Sequence, residues 1–447
     1  GEIEAALERE GRVRRGVAVV REDVPGDRRI VAYVVAEGGG LSVAELRSAV
    51  KDRLPEYMVP SAFVLLEELP LTGTGKVDRR ALPVPGTDLV ANAYVTPRDT
   101  LELQLAQLWE EVLGVRPVGV RDDFFALGGH SLLAVRLLAQ VERLTGTRLP
   151  VAALFAGPTV EQMAGALRAG EAPGVSTPLV PIQPAGAARP LFFVHAAGGN
   201  VLGYQALSRY LGAEQPFYGL QARGVEGDEV PRARIEEMAA DYLAELRAVQ
   251  PEGPYRLGGW SMGGLVAYEM ARQAEASGEA VELLVLVDPS TVEEGEERPL
   301  HEAEEPELLA SFAEHLGVPL DRITLSAEEI LRSEPGRRLH RAWEAAHAAG
   351  AVPPDLGYAR FERLWEVFRS NVRAARRYRP GPCGADIFVV FSEERRRPAA
   401  EAAVWEALGG GRAETVVCPG DHFSMVREPH VRDLAAQVSG ALSRCVP

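Results

Sequence analysis

The sequence predicts a multidomain chain: a small α+β part, a helical bundle, and a larger α/β part with helices inserted over its sheet. Three observations predict it. Two stretches rich in Pro, Gly and small residues, PVPGTDLVANAYVTP after Leu82 and EAPGVSTPLVPIQPAGAARP over 171–190, lack any periodic pattern and read as linkers. Between them, apolar residues recur at helical spacing. After the second, apolar runs of strand length alternate with amphipathic helical patterns, as in a mostly parallel sheet covered on both faces. A length of 447 residues agrees, being too great for one ordinary core and suited to about two to four units.

The first part covers residues 1–86. GVAVV and RIVAYVVAE read as strands, and VAELRSAVKDRL as an amphipathic helix. It opens abruptly on the helix-like GEIEAAL and reads as a piece of something larger.

The middle part covers 99–170. LELQLAQLWEEVLG forms one amphipathic helix, and after Ser131 the residues Ala134, Leu137, Leu138, Val141 and Leu144 share one face of another. A small bundle is the natural packing.

The last part covers 189–447. LFFVH, PFYGL, PYRLGGW, ELLVLVD, DIFVVF and TVVC read as strands, with helical patterns such as MAADYLAELRAV and GLVAYEMARQAEASG between several of them. The stretch 291–375 breaks this rhythm. It is helical, acidic at first, and runs into NVRAARRYRP, so it reads as a lid inserted over the sheet.

Composition excludes some functions. A formal net charge of −16 disfavours a nucleic-acid partner, since phosphate binding needs concentrated Lys and Arg. Cys383, Cys418 and Cys445 are few, odd in number and far apart, with neither a disulfide framework nor metal-ligand spacing. A reducing, cytoplasmic setting is the simplest reading. The charged start lacks the apolar core of a signal peptide, and no apolar run approaches a membrane span.

The chemistry of the last part centres on Gly259-Trp260-Ser261-Met262-Gly263, a G-x-S-x-G motif between an apolar strand and a helix. A sharp turn there lifts the serine above the sheet edge, next to the N–H groups of a helix N-terminus. A serine hydroxyl needs a base, and His422 in PGDHFSMV is the best candidate. Asp288, at the end of ELLVLVD, would orient it; Asp421 competes for that role but is adjacent to His422 and badly placed to reach the far ring nitrogen. The order Ser–Asp–His is the one expected on an α/β-hydrolase scaffold. An oxyanion hole needs two N–H donors, expected from Met262 and from Ala197 in the loop VHAAGGN. Taken singly, His422 could be a loop histidine and Asp288 a helix cap. In this order and at these strand ends they point to hydrolase-type catalysis.

In the middle part, Ser131 follows DDFFALGGH and precedes the strongest helix. As a bare helix start it could be only a cap. The motif D-x-F-F-x-L-G-G-H-S-L, however, resembles the attachment motif of peptidyl carrier proteins. That resemblance implies a 4′-phosphopantetheine arm on Ser131, installed by a phosphopantetheinyl transferase and holding an acyl group as a thioester. An anionic phosphodiester is favoured at a helix N-terminus.

Residues 54–83, LPEYMVPSAFVLLEELPLTGTGKVDRRALP, resemble the C-terminal subdomain of adenylation enzymes. Lys76 matches the lysine of that family that contacts the forming acyl-adenylate, with Thr74 in place of a more usual Asn. GTGK is not a phosphate-binding P-loop, because Pro70 and Val77 stand where Gly and Ser or Thr are required. The large adenylation core is missing, which implies an excised piece or part of a longer polypeptide, unable to activate an amino acid alone.

The order of adenylation subdomain, carrier and thioesterase resembles a termination module of a nonribosomal peptide synthetase, with further likeness at GWSMGG, GDHFSM and Tyr378–Pro382, and Ala196 where Pro is more usual. This implies upstream adenylation core and condensation domains, a peptidyl thioester as substrate, and release from Ser261 by hydrolysis or macrocyclisation, as in antibiotic biosynthesis. Three rivals stand beside it. A stand-alone serine esterase would have no use for LGGHSL, and a non-catalytic carrier scaffold would not need Ser261, Asp288 and His422. A polyketide terminus is disfavoured by the adenylation remnant and the GGHS form.

Overall fold

The computed structural model describes residues 95–129, 131–169, 177–289 without 228, 304–316, 326–349, 352, 356–395 and 398–445 without 411. Nearer the start it describes 2–9, 12–21, 29–37, 46, 50, 60, 62–66, 68–70, 77–79 and 82. Lys76 and most of the helix expected over 43–54 lie outside them. The chain divides into two compact units, Gly1–Pro97 with Pro117–Arg121, and Arg98–Arg116 with Asp122–Pro447.

In the first unit, helix α1 (Glu2–Glu8) packs on a three-stranded sheet ordered β1 (Val13–Arg21), β2 (Arg29–Ala36), β3 (Ala62–Leu65). β1 and β2 run antiparallel and β3 lies parallel to β2. The period of two in β2 divides its side chains: Ala32 and Val34 join Leu7, Leu46 and Val50 on one face, while Val31, Tyr33 and Val35 join Val64 and Leu69 on the other.

The second unit begins with helices α2 (Thr100–Leu113), α3 (Ser131–Thr145), α4 (Val151–Ala156) and α5 (Val160–Ala169). Asp99 caps α2 by accepting from Glu102 N–H at 2.9 Å, and Glu102, itself buried, pairs with Arg98 at 2.8 Å. The core of this bundle is Trp109 set edge-on to Phe124 at 5.3 Å, with Leu105, Leu137, Val141 and Leu154.

The rest of the unit is a seven-stranded sheet ordered β10-β9-β8-β7-β5-β6-β4, from β4 (Leu179–Gln183), β5 (Leu191–Val194), β6 (Phe217–Leu220), β7 (Tyr255–Trp260), β8 (Val281–Val287), β9 (Ile387–Ser392) and β10 (Ala413–Cys418). All pairings are parallel except β4 with β6. Helices α7 (Ile235–Val249), α8 (Met262–Ala276) and α13 (Pro398–Leu408) cover one face over Phe192, Val194, Leu284 and Leu286. Helices α6 (Gln205–Leu211) and α14 (Val431–Arg444) cover the other, over Leu191, Phe193, Leu283, Val285 and Val287.

Strand β4 corrects the reading of 171–190 as linker. It lies at the sheet edge, is short, contains Pro181 and fully buries only Val180, so neither alternation nor composition marks it. Proline is tolerated at such an edge. The sheet therefore starts before residue 189.

Between β8 and β9 lie the lid helices α9 (Glu305–His315), α10 (Ala327–Arg332), α11 (Pro335–Ala348) and α12 (Tyr358–Arg377). Their apolar faces meet through Phe312, Phe361, Leu364, Trp365 and Phe368, and rest on Ala197, Ala222 and Val225 of the sheet domain. Tyr378, just past α12, donates to Glu269 of α8 at 2.7 Å and anchors the end of the insertion.

The bundle touches the sheet domain. Ala152 and Phe155 of α4 pack against the cluster on the α6/α14 face, and Val135 of α3 packs against the lid cluster. Pro150 gives α4 no side-chain cap; instead Val151 N–H donates to Glu226 Oε1 at 2.6 Å, a carboxylate of the loop after β6.

Candidate active site

The backbone turns sharply at the end of β7, and Ser261 takes φ 58°, ψ −126°. Such a conformation is strained for any residue with a Cβ, and close packing around it holds it. A Cβ on Gly259 would lie 2.2 Å from Gly263 C, and one on Gly263 would lie 2.4 Å from the carbonyl oxygens of Val194 and His195. Both motif glycines are thus required by backbone contact between α8 and the strands β5 and β7. Ser261 N–H donates to Val287 O at 2.9 Å, tying the turn to the neighbouring strand.

The structure brings Ser261, His422 and Asp288 together at the C-terminal ends of parallel strands, where such sheets present their sites. His422 Nε2 lies 3.1 Å from Ser261 Oγ, and His422 Nδ1 lies 2.6 Å from Asp288 Oδ2. A carboxylate only accepts, so Nδ1 carries the proton and Nε2 is left to accept the serine proton. Asp421 turns away from the ring: its Oδ1 accepts from Phe423 N–H at 2.7 Å and Ser424 N–H at 2.9 Å, shaping the loop that carries His422.

Asp288 is buried, which alone would raise its carboxyl pKa. The His422 hydrogen bond, Ser392 N–H at 3.0 Å from Oδ1 and Arg395 at 3.2 Å outweigh burial and hold it below the usual carboxylate range. Ser392 Oγ adds a bond to Oδ2 at 3.1 Å, and Arg395 is itself paired with Glu401. Sequence reasoning missed Ser392 and Arg395. Ser392 ends the strand beside β8, a position that could have exposed it, whereas Arg395 is one of three consecutive arginines.

His195, also in a loop after a strand, is a different kind of residue. It is fully buried, its Nδ1 donates to Ala196 O at 2.7 Å, and its Nε2 accepts from Tyr242 Oη at 2.8 Å. Burial holds its pKa down at about 4. It is a neutral packing group whose ring bonds to Ala196 and Tyr242.

Ala197 lies in the loop after β5 and Met262 is the first residue of α8. Among the described residues, neither backbone N–H has a hydrogen-bond partner. The Ala197 carbonyl accepts from Asn371 Nδ2 of α12 at 2.9 Å, a lid contact that sequence reasoning also missed.

In the bundle, Asp123 Oδ1 accepts from Phe125 N–H at 2.8 Å and Ala126 N–H at 2.9 Å, forming the turn that Asp favours. Gly128 has φ 97°, and a Cβ on Gly129 would meet the Phe124 ring at 2.3 Å. The D-x-F-F-x-L-G-G run is therefore a turn clamped onto the core aromatic, which brings the chain to the start of α3 at Ser131. The Ser131 side chain lies outside the described residues. A serine leading a fifteen-residue helix fits a phosphodiester, through unpaired N–H groups and the positive dipole end.

Comparisons with known proteins assign the domains. Residues 2–76 match the AMP-binding enzyme C-terminal domain, 104–167 the phosphopantetheine attachment site and 189–441 the thioesterase domain. A dimodular nonribosomal peptide synthase of Bacillus subtilis is 45% identical over 289 residues, 64% of this chain and 12% of that protein. Chondramide synthase of Chondromyces crocatus is 33% identical over 459 aligned residues, covering 98% of this chain and 11% of that protein. The chain thus spans only a small share of the curated relatives it matches. The crystal structure of a holo four-domain nonribosomal peptide synthetase bound to AMP and glycine superposes with a TM-score of 0.57 at 33% identity, over 100% of this chain and 33% of that one. The chain belongs to the thioesterase family, and its thioesterase domain follows an AMP-binding C-terminal domain and a phosphopantetheine attachment site, the domain order of a nonribosomal peptide synthetase termination module.

Proposed function

We propose that this chain releases the finished product of a nonribosomal peptide synthetase, with Ser131 as the carrier attachment point and Ser261 as the acyl-accepting nucleophile. The observation that carries the reading is the continuous hydrogen-bonded series Ser261–His422–Asp288 on a strained strand-to-helix turn. When bound, 4′-phosphopantetheine supplies a thiol that presents the acyl group as a thioester.

His422 Nε2 takes the Ser261 proton as Oγ attacks the thioester carbonyl. Asp288 holds the ring in that tautomer and stabilises the imidazolium. Ala197 N–H and Met262 N–H receive the developing oxyanion. As the carbon–sulfur bond breaks, His422 would return its proton to the departing sulfur, leaving the acyl group on Oγ as an ester. In the second half, His422 removes a proton from the final nucleophile as it attacks the ester carbonyl, and returns that proton to Ser261 Oγ as the ester bond breaks. Water releases a free acid, whereas an amine or hydroxyl of the acyl chain releases a macrocycle. The lid over the site favours the latter to the extent that it excludes water.

The upstream adenylation core, to which Lys76 would contribute its ammonium, condensation domains and a phosphopantetheinyl transferase are the partners this reading requires. No described helix is long and apolar enough to cross a membrane. Free Cys383, Cys418 and Cys445 support a reducing, cytoplasmic setting.

Intact-protein mass after treatment with a phosphopantetheinyl transferase and an acyl-coenzyme A tests the proposal, with peptide mapping. The acyl-arm mass is expected on Ser131, decaying faster in the parent chain than in Ser261→Ala. Absence of any arm on Ser131 would leave a free-standing esterase as the better account.

A further inference from the structure

The lid carries two polar side chains whose hydrogen-bonding capacity is half used, and both adjoin the same loop. His315 ends α9. Its Nδ1 lies 2.8 Å from Ser311 O, and a carbonyl oxygen only accepts, so Nδ1 bears the proton and Nε2 is an acceptor. Among the described residues Nε2 has no hydrogen-bond partner, and it is shut off from solvent. Asn371, on α12, is fully buried. Its Nδ2 is spent on Ala197 O at 2.9 Å, which leaves Oδ1 as a second buried acceptor without a partner. Native interiors hold few such atoms, and each calls for a reason.

Their location gives one. The His315 ring stacks on Trp260, the residue before Ser261, at 5.9 Å, and meets Phe423, the residue after His422, edge-on at 5.0 Å. A Cβ on Gly198 would lie 3.3 Å from His315 Cδ2, the carbon bonded to Nε2. Phe368, three residues before Asn371 in α12, touches the His315 ring at 5.3 Å. The two residues with unfilled acceptors therefore border the loop of Ala197 and Gly198. Burial keeps the imidazole neutral, at about 4, so it does not turn into a donor near neutrality.

A bound acyl chain can supply the donors that these acceptors lack. An acyl chain with an amide next to its reacting carbonyl brings an N–H at that place; an alkyl acyl chain brings none. We propose that His315 is a specificity-determining residue, accepting through Nε2 a hydrogen bond from an amide N–H of the acyl chain held at Ser261. Asn371 Oδ1 stands beside it as a second acceptor for the same chain. This rests on Ser261 being the acyl-accepting serine. It goes beyond that reading by naming the lid atom that distinguishes a peptidyl from a simple acyl group.

The test uses the full chain and two soluble thioesters that differ at one place, an amide N–H beside the acyl carbon in one and an ester oxygen in the other. His315→Phe keeps a packed ring and removes the acceptor. The ratio of kcat/KM for the amide over the ester is expected to fall about tenfold, as a site loses discrimination when its polar partner goes. His315→Met is the second variant should Phe not fold, with thermal melting reporting the fold of each. A ratio unchanged from the parent in the folded variant overturns the proposal. A fluorophosphonate without any amide reports separately on Ser261. If the parent chain is not labelled, the serine reading itself fails; if labelling is normal and only the ratio stays fixed, the role of His315 alone fails.

Discussion

Trp260 donates its indole N–H to the backbone carbonyl of His422 at 3.1 Å, so the residue before the nucleophile holds the loop of the base. The two rings also lie 5.3 Å apart. One side chain thus sets the distance between Ser261 and His422 from both ends.

Trp260→Phe keeps an aromatic ring and removes that donor. A neutral hydrogen bond is worth about 0.5–1.5 kcal/mol, so kcat on a soluble thioester should fall roughly 2–13-fold. KM should change little, because the contact is to the base and not to the acyl group. Steady-state kinetics with a fluorophosphonate labelling rate for Ser261 would check this; a change confined to KM would contradict it.

Arg395→Met should make stability less dependent on acid. In the folded chain the Asp288 carboxyl is held below its ordinary value, with Arg395 among the causes. The unfolded chain, at about 3.9, binds the proton first as pH falls. The stabilisation is therefore complete above that value and is lost as pH drops through the lower folded one. Removing Arg395 raises the folded value and narrows the window. Urea unfolding from about pH 7 to pH 3 should show the variant losing more stability at the upper end than at the lower.

Gly129→Ala should damage the carrier bundle. Its Cβ would enter the Phe124 ring at 2.3 Å, and Phe124 is core with Trp109. Overpacking of this kind costs about 1–3 kcal/mol. Loading of Ser131 by a phosphopantetheinyl transferase should slow, while hydrolysis of a soluble thioester at Ser261 stays at the parent rate. Mass spectrometry and a thiol-release assay separate the two.

Glu226→Ala removes the carboxylate that caps α4 from across the bundle–sheet contact. Decay of an acyl group loaded on Ser131 should slow several-fold, with turnover of a soluble thioester unaltered. Equal slowing of both would place Glu226 in the fold of the sheet domain instead.

Much of this was legible in the sequence because particular contacts demand particular residues. The glycines of G-x-S-x-G stand where backbones approach too closely for a Cβ, and the glycines before Ser131 stand against Phe124 or at positive φ. The parallel strands were legible as short apolar runs. What was hidden lacks a local signal. β4 fully buries only one side chain and contains a proline. Arg395 reaches Asp288 across 107 residues and Asn371 reaches Ala197 across 174, and nothing in their neighbourhoods marks them apart from other surface arginines or helical asparagines. Glu226 caps a helix 75 residues away, which only the packed chain reveals.

The edge strand β4 has a further consequence. Helix α5 ends at Ala169 and β4 begins at Leu179. A chain reaches at most about 3.6 Å per residue, so this leash spans no more than about 36 Å whatever its path. On the proposed function, a cargo on Ser131 is thereby confined to the neighbourhood of its own Ser261. Offloading by that route would be a first-order event, indifferent to dilution, and a foreign carrier would have to outcompete one that never leaves.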